Sequence, residues 1–484
     1  MVRKISTVLL AAALLMVSAG VFAGGEGESG STGEAGPAIS KITSYLDRIL
    51  IEDDGLAQFL AAYKDQTGIT LEVIKPPHNQ YAEVLGAAVM AGDLPDIMEL
   101  WDTQYTAYVD SNLLVPLDEF IAANPNMASV TKDYYEVYRA KDGKIYGFPT
   151  YKGGGCVTYV RQDWLDNLGM DVPETWNEYV AMLRAFTFDD PDGDGQDNTI
   201  GLTLPFQVPA SEFDYYNRPI MQDAYFGFQY VNGQWVDGFS QPAMRQALRR
   251  WIDLYAAGVI DREFFTNNTS RARSKLMEGQ AGAFDYWTGT WATRLDQSAK
   301  NINPAADISA VNAIDEAHYI NRVGPLLAIS TAAQNPKAVF DNIIGHMWDK
   351  GDGQVLWTYG IQGLHWDLDD AGNPYMLPQP SNPERPFNKT YIDPYLPLND
   401  FEPMIPQQPK ERLSIEIHNE DSVSLRLVQG GDVYTKNIGD LNTAKQELFA
   451  QIVTGEITID QGLAEYQRRA NALQISTILA ELNS

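Results

Sequence analysis

The 484-residue chain holds a single cysteine, five histidines, and 35 basic residues against 64 acidic ones. One thiol cannot close an intramolecular disulfide, so a disulfide scaffold is excluded and Cys156 is expected to be buried and inert. A formal charge of −29 argues against nucleic acid, whose binding needs cations to release phosphate counterions. An anionic membrane surface is disfavoured on the same ground. Beyond the first 23 residues no uninterrupted apolar run approaches about 18 residues, the length of a membrane-spanning helix. Catalytic signatures are missing too: there is no GxSxG elbow and no HExxH. His78, His318, His346, His365 and His418 are too scattered for a local zinc motif. A glycosidase-type carboxylate pair cannot be singled out among 64 acids, so no enzyme is expected.

What is present begins with an export signal. Arg3 and Lys4 precede an apolar run from Val8 to Val17, and small residues surround Val21-Phe22-Ala23. This is the layout of a secretory signal peptide, with cleavage expected after Ala23 and a mature charge of −31. Residues 24–40 are Gly, Ser, Glu and Ala with almost no bulky apolar side chain, which predicts a flexible leader. No cysteine near the cleavage point offers a lipid attachment site. A soluble periplasmic protein is therefore the expectation.

Three strand–helix pairs follow. Strands are predicted at Ile42–Leu46, Ile69–Ile74 and Asp96–Leu100; helices at Gly55–Lys64, near Tyr81–Met90, and from about Gln104. Their spacing suits βαβ crossovers and hence a parallel sheet covered by helices. In such sheets ligands bind beyond the carboxyl ends of the strands. That rule singles out Asp47-Arg48 and Trp101-Asp102-Thr103-Gln104. Three successive glycines, Gly153 to Gly155, suit a hinge or a close backbone approach. Further helices are predicted at Trp176–Phe186, Met244–Ala257, Arg271–Gly279, Asn442–Thr454 and Asp460–Leu482. Val323–Ile329 reads as a strand returning to the first lobe. Ten of the 26 prolines lie between Asn373 and Lys410, which predicts a long irregular strap.

Two motifs carry chemistry. Asp190, Asp192 and Asp194 occupy positions 1, 3 and 5 of a calcium-type loop, with Gly195 at 6 and the Gln196 carbonyl at 7. The loop lacks the terminal bidentate glutamate, since Gly201 stands there; Asn198 or Thr199 would have to complete it. Structural calcium is expected because three clustered carboxylates repel one another without a cation. The second motif is aromatic. Trp101, the Tyr286-Trp-Thr-Gly-Thr-Trp291 turn that carries Trp287, and the Trp357-Thr-Tyr359 run sit among polar residues, as sugar-stacking rings do. Trp176, Trp251 and Trp348 are expected in the core.

The run Pro95-Asp-Ile-Met-Glu-Leu-Trp-Asp102 resembles family 1 extracellular solute-binding proteins of ABC importers. So do Gly143-Lys-Ile-Tyr-Gly-Phe-Pro-Thr150, Tyr159-Val-Arg-Gln-Asp-Trp164, Pro173-Glu-Thr-Trp176 and Gly279-Gln-Ala-Gly-Ala-Phe284. The calcium-like loop and Tyr359-Gly-Ile-Gln-Gly-Leu-His-Trp366 resemble its alginate-binding and LipO-like branch, in which the matching loop holds calcium. The resemblance implies an α/β fold of two lobes closing over a ligand. Lobe one would be 41–150 plus 325–372, and lobe two 151–324 plus 373–484. It implies an oligosaccharide ligand, a membrane permease as partner, and a monomer. Trp101, Asp102, Trp287 and Trp291 would face the ligand, joined by Gln104, Arg48, Tyr151, Trp357 and Tyr359. The alternatives are a non-sugar solute on the same scaffold, or a secreted glycosidase. A uronate ligand would need Arg48, Lys152, Arg161 or Arg218; the acidic composition leans instead to a neutral sugar.

Overall fold

The computed structural model describes residues 37–484 apart from Thr131 and Pro209; the expected signal peptide and residues 24–36 of the leader lie outside the described residues. Alternating side chains build a first sheet in the order Thr70–Ile74, Lys41–Tyr45, Ile97–Leu100, Leu326–Ile329, Phe148–Pro149. Ile42, Leu71 and Ile97 fill one core, while Tyr45, Met98 and Leu100 fill another on the opposite face. The first three strands run parallel, as the spacing predicts. Leu326–Ile329 returns to this sheet but runs antiparallel to Ile97–Leu100, so the sheet is mixed rather than wholly parallel. The returning chain arrives from the second lobe at the carboxyl end of the parallel strands, and from there it can only run the other way.

The second sheet is ordered Ile308–Val311, Cys156–Arg161, Ala281–Trp287, Ile200–Leu202. It too lies between two cores. Cys156, Tyr159, Phe284 and Tyr286 face one, and Cys156 is a free, buried thiol as expected. Val160, Leu202 and Ala283 face the other, an aromatic-rich core with Trp164, Phe213, Trp251 and Phe449. The helix Trp176–Phe188 covers this face, started by a Thr175 side chain that accepts from the Glu178 backbone. Trp251 and Trp348 are buried as expected, whereas Trp176 is only partly so.

Some boundaries differ from the sequence reading. The helix expected from Asn442 begins at Asp432, and Asp460–Leu482 is two helices, Ile459–Ala472 and Ile475–Leu482. Gln474, with φ +60°, breaks them apart. The proline-rich strap opens with two short ribbons, Trp366–Leu368 with Pro374–Met376 and Pro378–Gln379 with Asn382–Pro386. Two-stranded ribbons tolerate proline because every strand in them is an edge. Phe387, Tyr391, Ile392 and Leu398 then join the core beneath the first sheet, although the sequence reading gave residues after 372 to the second lobe. No helix among the described residues is long and apolar enough to cross a membrane.

The crossovers between the sheets pack backbone to backbone. Lys152 donates its N–H to Leu396 O (3.0 Å), and Arg322 donates to Gly154 O (2.7 Å). A Cβ on Gly153 would stand 1.8 Å from Arg322 O, and one on Gly155 2.2 Å from Ile320 O. The glycine run therefore serves close approach at the junction of the lobes.

Candidate functional site

The carboxyl end of Ile97–Leu100 brings a carboxylate to the junction. Glu99 is fully buried and accepts from the backbone N–H of Asp47 (3.0 Å), Arg48 Nε (2.5 Å) and the Tyr391 hydroxyl (2.9 Å). The other end of the Arg48 guanidinium donates to Thr150 Oγ1 (2.5 Å) and lies 4.8 Å from the Tyr151 ring centroid. Arg48 is thus held by its neighbours, and Tyr151, 8% exposed, is mostly covered. Neither is an open contact. Next to them the buried Asp47 carboxylate pairs with His78 Nδ1 (2.6 Å), and this hydrogen bond raises the His78 imidazole above its usual range.

Trp101 follows Ile97–Leu100 and enters the helix Asp102–Asp110; Gln104 Oε1 accepts from the Trp101 N–H at 3.5 Å. Gln104 therefore caps the turn that carries Trp101. The Asp102 side chain lies outside the described ones. From the other sheet, Trp287 ends Ala281–Trp287, is half-buried, and packs on Tyr215 and Tyr216 at 5.6 and 5.9 Å between centroids. Arg322, on the crossover, unites the two: its Cζ lies 4.8 Å from the Trp101 ring and 4.8 Å from the Trp287 ring. Its nearest carboxylate is Glu212, at 3.8 Å. The sequence reading missed Arg322, whose only signal is its place just before the returning strand. Glu99 was legible as the one charge inside an apolar strand.

Trp291, one turn further on, lies 4.5 Å from the Arg273 Cζ and 5.2 Å from that of Arg294. Trp357 and Tyr359 are corrections to the aromatic reading. Trp357 is fully buried, edge-on to Phe59 (4.9 Å) and Tyr391 (5.6 Å), with its indole N–H on His346 Nδ1. Tyr359 is 1% exposed and its hydroxyl accepts from the Met404 N–H. The polar residues flanking them in sequence belong to a helix whose buried face these rings supply. Arg161 and Arg218 are also structural. Arg161 pairs with Asp163 (2.5 Å) against Trp164, and Arg218 donates to His318 O and Ala224 O in the interior.

The acidic loop gathers as the motif predicts. One carboxylate oxygen each from Asp190, Asp192 and Asp194 lie within 4.8 Å of one another. Asp190 Oδ2 accepts from the Gly195 N–H (3.0 Å), while its Oδ1 is buried without any partner among the described residues. Burial, then the charges of Asp194 and Asp190, hold the Asp192 carboxyl above its ordinary value. An orphaned oxygen amid mutually repelling carboxylates fits a hard cation. Asn198 Nδ2 donates to Asp194 Oδ2 (3.0 Å), leaving its amide oxygen for a ligand. The Thr199 hydroxyl donates to Phe186 O (2.8 Å), which ties the end of the loop to the preceding helix.

Residues 49–343 match the family model described as bacterial extracellular solute-binding protein. The polygalacturonan/rhamnogalacturonan-binding protein YtcQ of Bacillus subtilis (strain 168) is 24% identical over 380 residues, 73% of each chain. Among solved structures, the S. pneumoniae ABC-transporter substrate-binding protein FusA in complex with kestose superposes with a TM-score of 0.64. It is 17% identical, covering 92% of this chain and 98% of that one. Alginate-binding protein AlgQ2 without calcium ion gives 0.65 at 19% identity, covering 92% and 97%. These likenesses establish the two-lobed fold. The family match takes in four of the five strands of the first sheet together with Trp101, Trp287 and Arg322, and on it this chain belongs to the bacterial extracellular solute-binding proteins.

Proposed function

We propose that the protein is the substrate-binding component of an ABC carbohydrate importer and captures an oligosaccharide between its two lobes. The observation that carries this reading is the meeting of Trp101, from one sheet, with Trp287, from the other, at the crossover-borne Arg322. A ligand touching both rings gains its full contact only when the lobes close, so binding energy shifts the population to the closed state. The closed form then presents the solute to the membrane permease. The protein acts as a monomer outside the cytoplasmic membrane, in the periplasm, and returns its ligand chemically unchanged. The names of the B. subtilis and S. pneumoniae proteins support a carbohydrate as the solute class.

The first lobe comprises residues 41–150 and 325 to about 398, because Phe387 to Leu398 share its core. Residues 151–324 and the remaining carboxyl-terminal segment form the second. Calcium is held by Asp190, Asp192 and Asp194 with the Gln196 carbonyl and the Asn198 amide oxygen. Bound there it neutralises the carboxylates and ties the loop to the second lobe, without entering the solute cleft.

Thermal shift and calorimetry against an oligosaccharide panel test the reading. A ligand at about 100 times its Kd adds about 2.7 kcal/mol of stability, a clear rise in Tm. A saturating response to a sugar recovered intact supports the proposal. Release of shorter sugars, or a response to peptides alone, overturns it.

A further inference from the structure

A carboxylate and a guanidinium lie side by side, largely out of water, where the chain passes between the sheets. Glu99 is fully buried, the Arg48 side chain is 18% exposed, and Arg48 Nε meets Glu99 Oε1 at 2.5 Å. The pair reaches both crossovers. Thr150 is the first residue after the strand Phe148–Pro149, where the chain leaves the first sheet, and Pro325 is the last before Leu326–Ile329, where it returns. Arg48 Nη2 donates to Thr150 Oγ1 (2.5 Å), and the Thr150 N–H donates to Pro325 O (3.2 Å). On the other side Glu99 Oε2 accepts from the Tyr391 hydroxyl (2.9 Å). Tyr391 belongs to the stretch whose Leu396 O accepts from the crossover residue Lys152 (3.0 Å). Thr150 and Tyr391 are both fully buried. The Arg48 Cζ lies 4.8 Å from the Tyr151 ring centroid and 5.4 Å from that of Tyr391.

Taking two charges out of water is costly, and an apolar pair of similar volume often stabilises a fold as well or better. What the ion pair supplies is geometry. The planar guanidinium holds Glu99 with one N–H and Thr150 with another at a fixed spacing, whereas a lysine is a point charge on a flexible stem. We propose that Arg48 is a positioning residue, which clamps the end of the first sheet to both crossovers and so sets the angle between the lobes before any solute arrives. Trp101 follows Glu99 at the same strand end, and Arg322 precedes Pro325 on the same crossover, so the clamp fixes the pivot between the aromatic surfaces. This role needs no ligand contact, in keeping with the covered position of Arg48. It rests on the two-lobed fold and is independent of which solute the cleft takes.

The test is the distance between the lobes in the ligand-free mature protein, read by double electron–electron resonance between spin labels on Asp65→Cys and Glu456→Cys. Asp65 lies on the helix Leu56–Thr67 and Glu456 just beyond the helix Asp432–Val453; both are exposed, and the native Cys156 is buried. Arg48→Lys keeps the charge but loses the fork, and should broaden and shift the distance distribution relative to the labelled native chain. Thr150→Val keeps the side-chain shape and loses the hydroxyl, and should do the same. Thr150→Ser keeps the hydroxyl and should retain the native distribution. The two threonine variants carry the test even if Arg48→Lys misfolds. A native distribution in Thr150→Val, or equal broadening in Thr150→Ser, overturns the clamp and leaves the solute-binding reading untouched, since no sugar enters the measurement.

Discussion

Trp101 and Trp287, 186 residues apart in the chain and on different sheets, lie at the same 4.8 Å from one guanidinium carbon, that of Arg322. The contact spans the lobes through a residue of the crossover itself. In the proposed closure, movement of either lobe would change what this cation touches.

Substitution separates the aromatic residues proposed as ligand contacts from those buried in the core. Trp101→Ala and Trp287→Ala should each weaken ligand binding by about 1–3 kcal/mol, the scale of one stacked ring. Trp287→Ala should also lower stability modestly, because the ring packs on Tyr215 and Tyr216. Trp357→Ala should instead cost about 3–5 kcal/mol of folding stability, as a fully buried ring does. Denaturant titration beside calorimetry checks all three; a Trp357→Ala protein of native stability would contradict its place in the core.

Calcium should raise the Tm, and a chelator should lower it. Asp190→Asn and Asp192→Asn should abolish the calcium response while leaving most sugar affinity in place. Thr199→Ala should lower the metal-free Tm yet keep the response, because its hydroxyl serves Phe186 O. Differential scanning fluorimetry with and without chelator measures this. A Tm indifferent to calcium would remove the metal from the loop.

The glycine junction predicts an asymmetry between two Gly→Ala changes. At Gly153 the new methyl would meet the Arg322 carbonyl at 1.8 Å, and backbone cannot swing aside as a side chain does. Gly153→Ala should therefore cost about 1–3 kcal/mol or more. Gly86 lies within the helix Tyr81–Met90 with nothing within 4 Å of an added Cβ. Gly86→Ala should stabilise by about 0.5–1 kcal/mol. Unfolding curves of the two variants decide it.

Two buried groups give opposite pH dependences. Burial pushes the Asp285 carboxyl from 3.8 up to about 6, so its native state holds the proton more tightly than the unfolded state. Its contribution is complete below pH 3.8 and is lost as pH rises to about 6. The shift of about two units corresponds to about 3 kcal/mol. Burial pushes the His418 imidazole from 6.5 down to about 4, so stability is lost as pH falls between those values. Relative to the native chain, Asp285→Asn should gain stability as pH rises from 4 to 6, and His418→Gln should gain as pH falls from 6.5 to 4. Denaturation midpoints at both ends of the window measure the two slopes; parallel curves would refute the assignment.

Much was legible in the sequence because it is local. Apolar periodicity placed the strands at Lys41–Tyr45, Thr70–Ile74 and Ile97–Leu100 within a residue or two. Alternating aspartates with glycines predicted a loop whose three carboxylates do converge. The carboxyl-end rule for α/β sheets led to Trp101, and motif resemblance led to Trp287. Local chemistry also misled: Trp357 and Tyr359 have polar neighbours, yet their helix turns those rings inward.

The sequence by itself thus determined the elements, the acidic loop and the family, since backbone propensity, side-chain alternation and turn chemistry act over a few residues. Only the tertiary structure decided which partner each cation meets. Arg48 and Arg161 pair with Glu99 and Asp163, Arg218 donates to backbone carbonyls, and Arg322 pairs with Glu212 while lying over two tryptophan rings. Electrostatic pairing depends on distance in space, falling off over a few ångströms, and carries no signature along the chain.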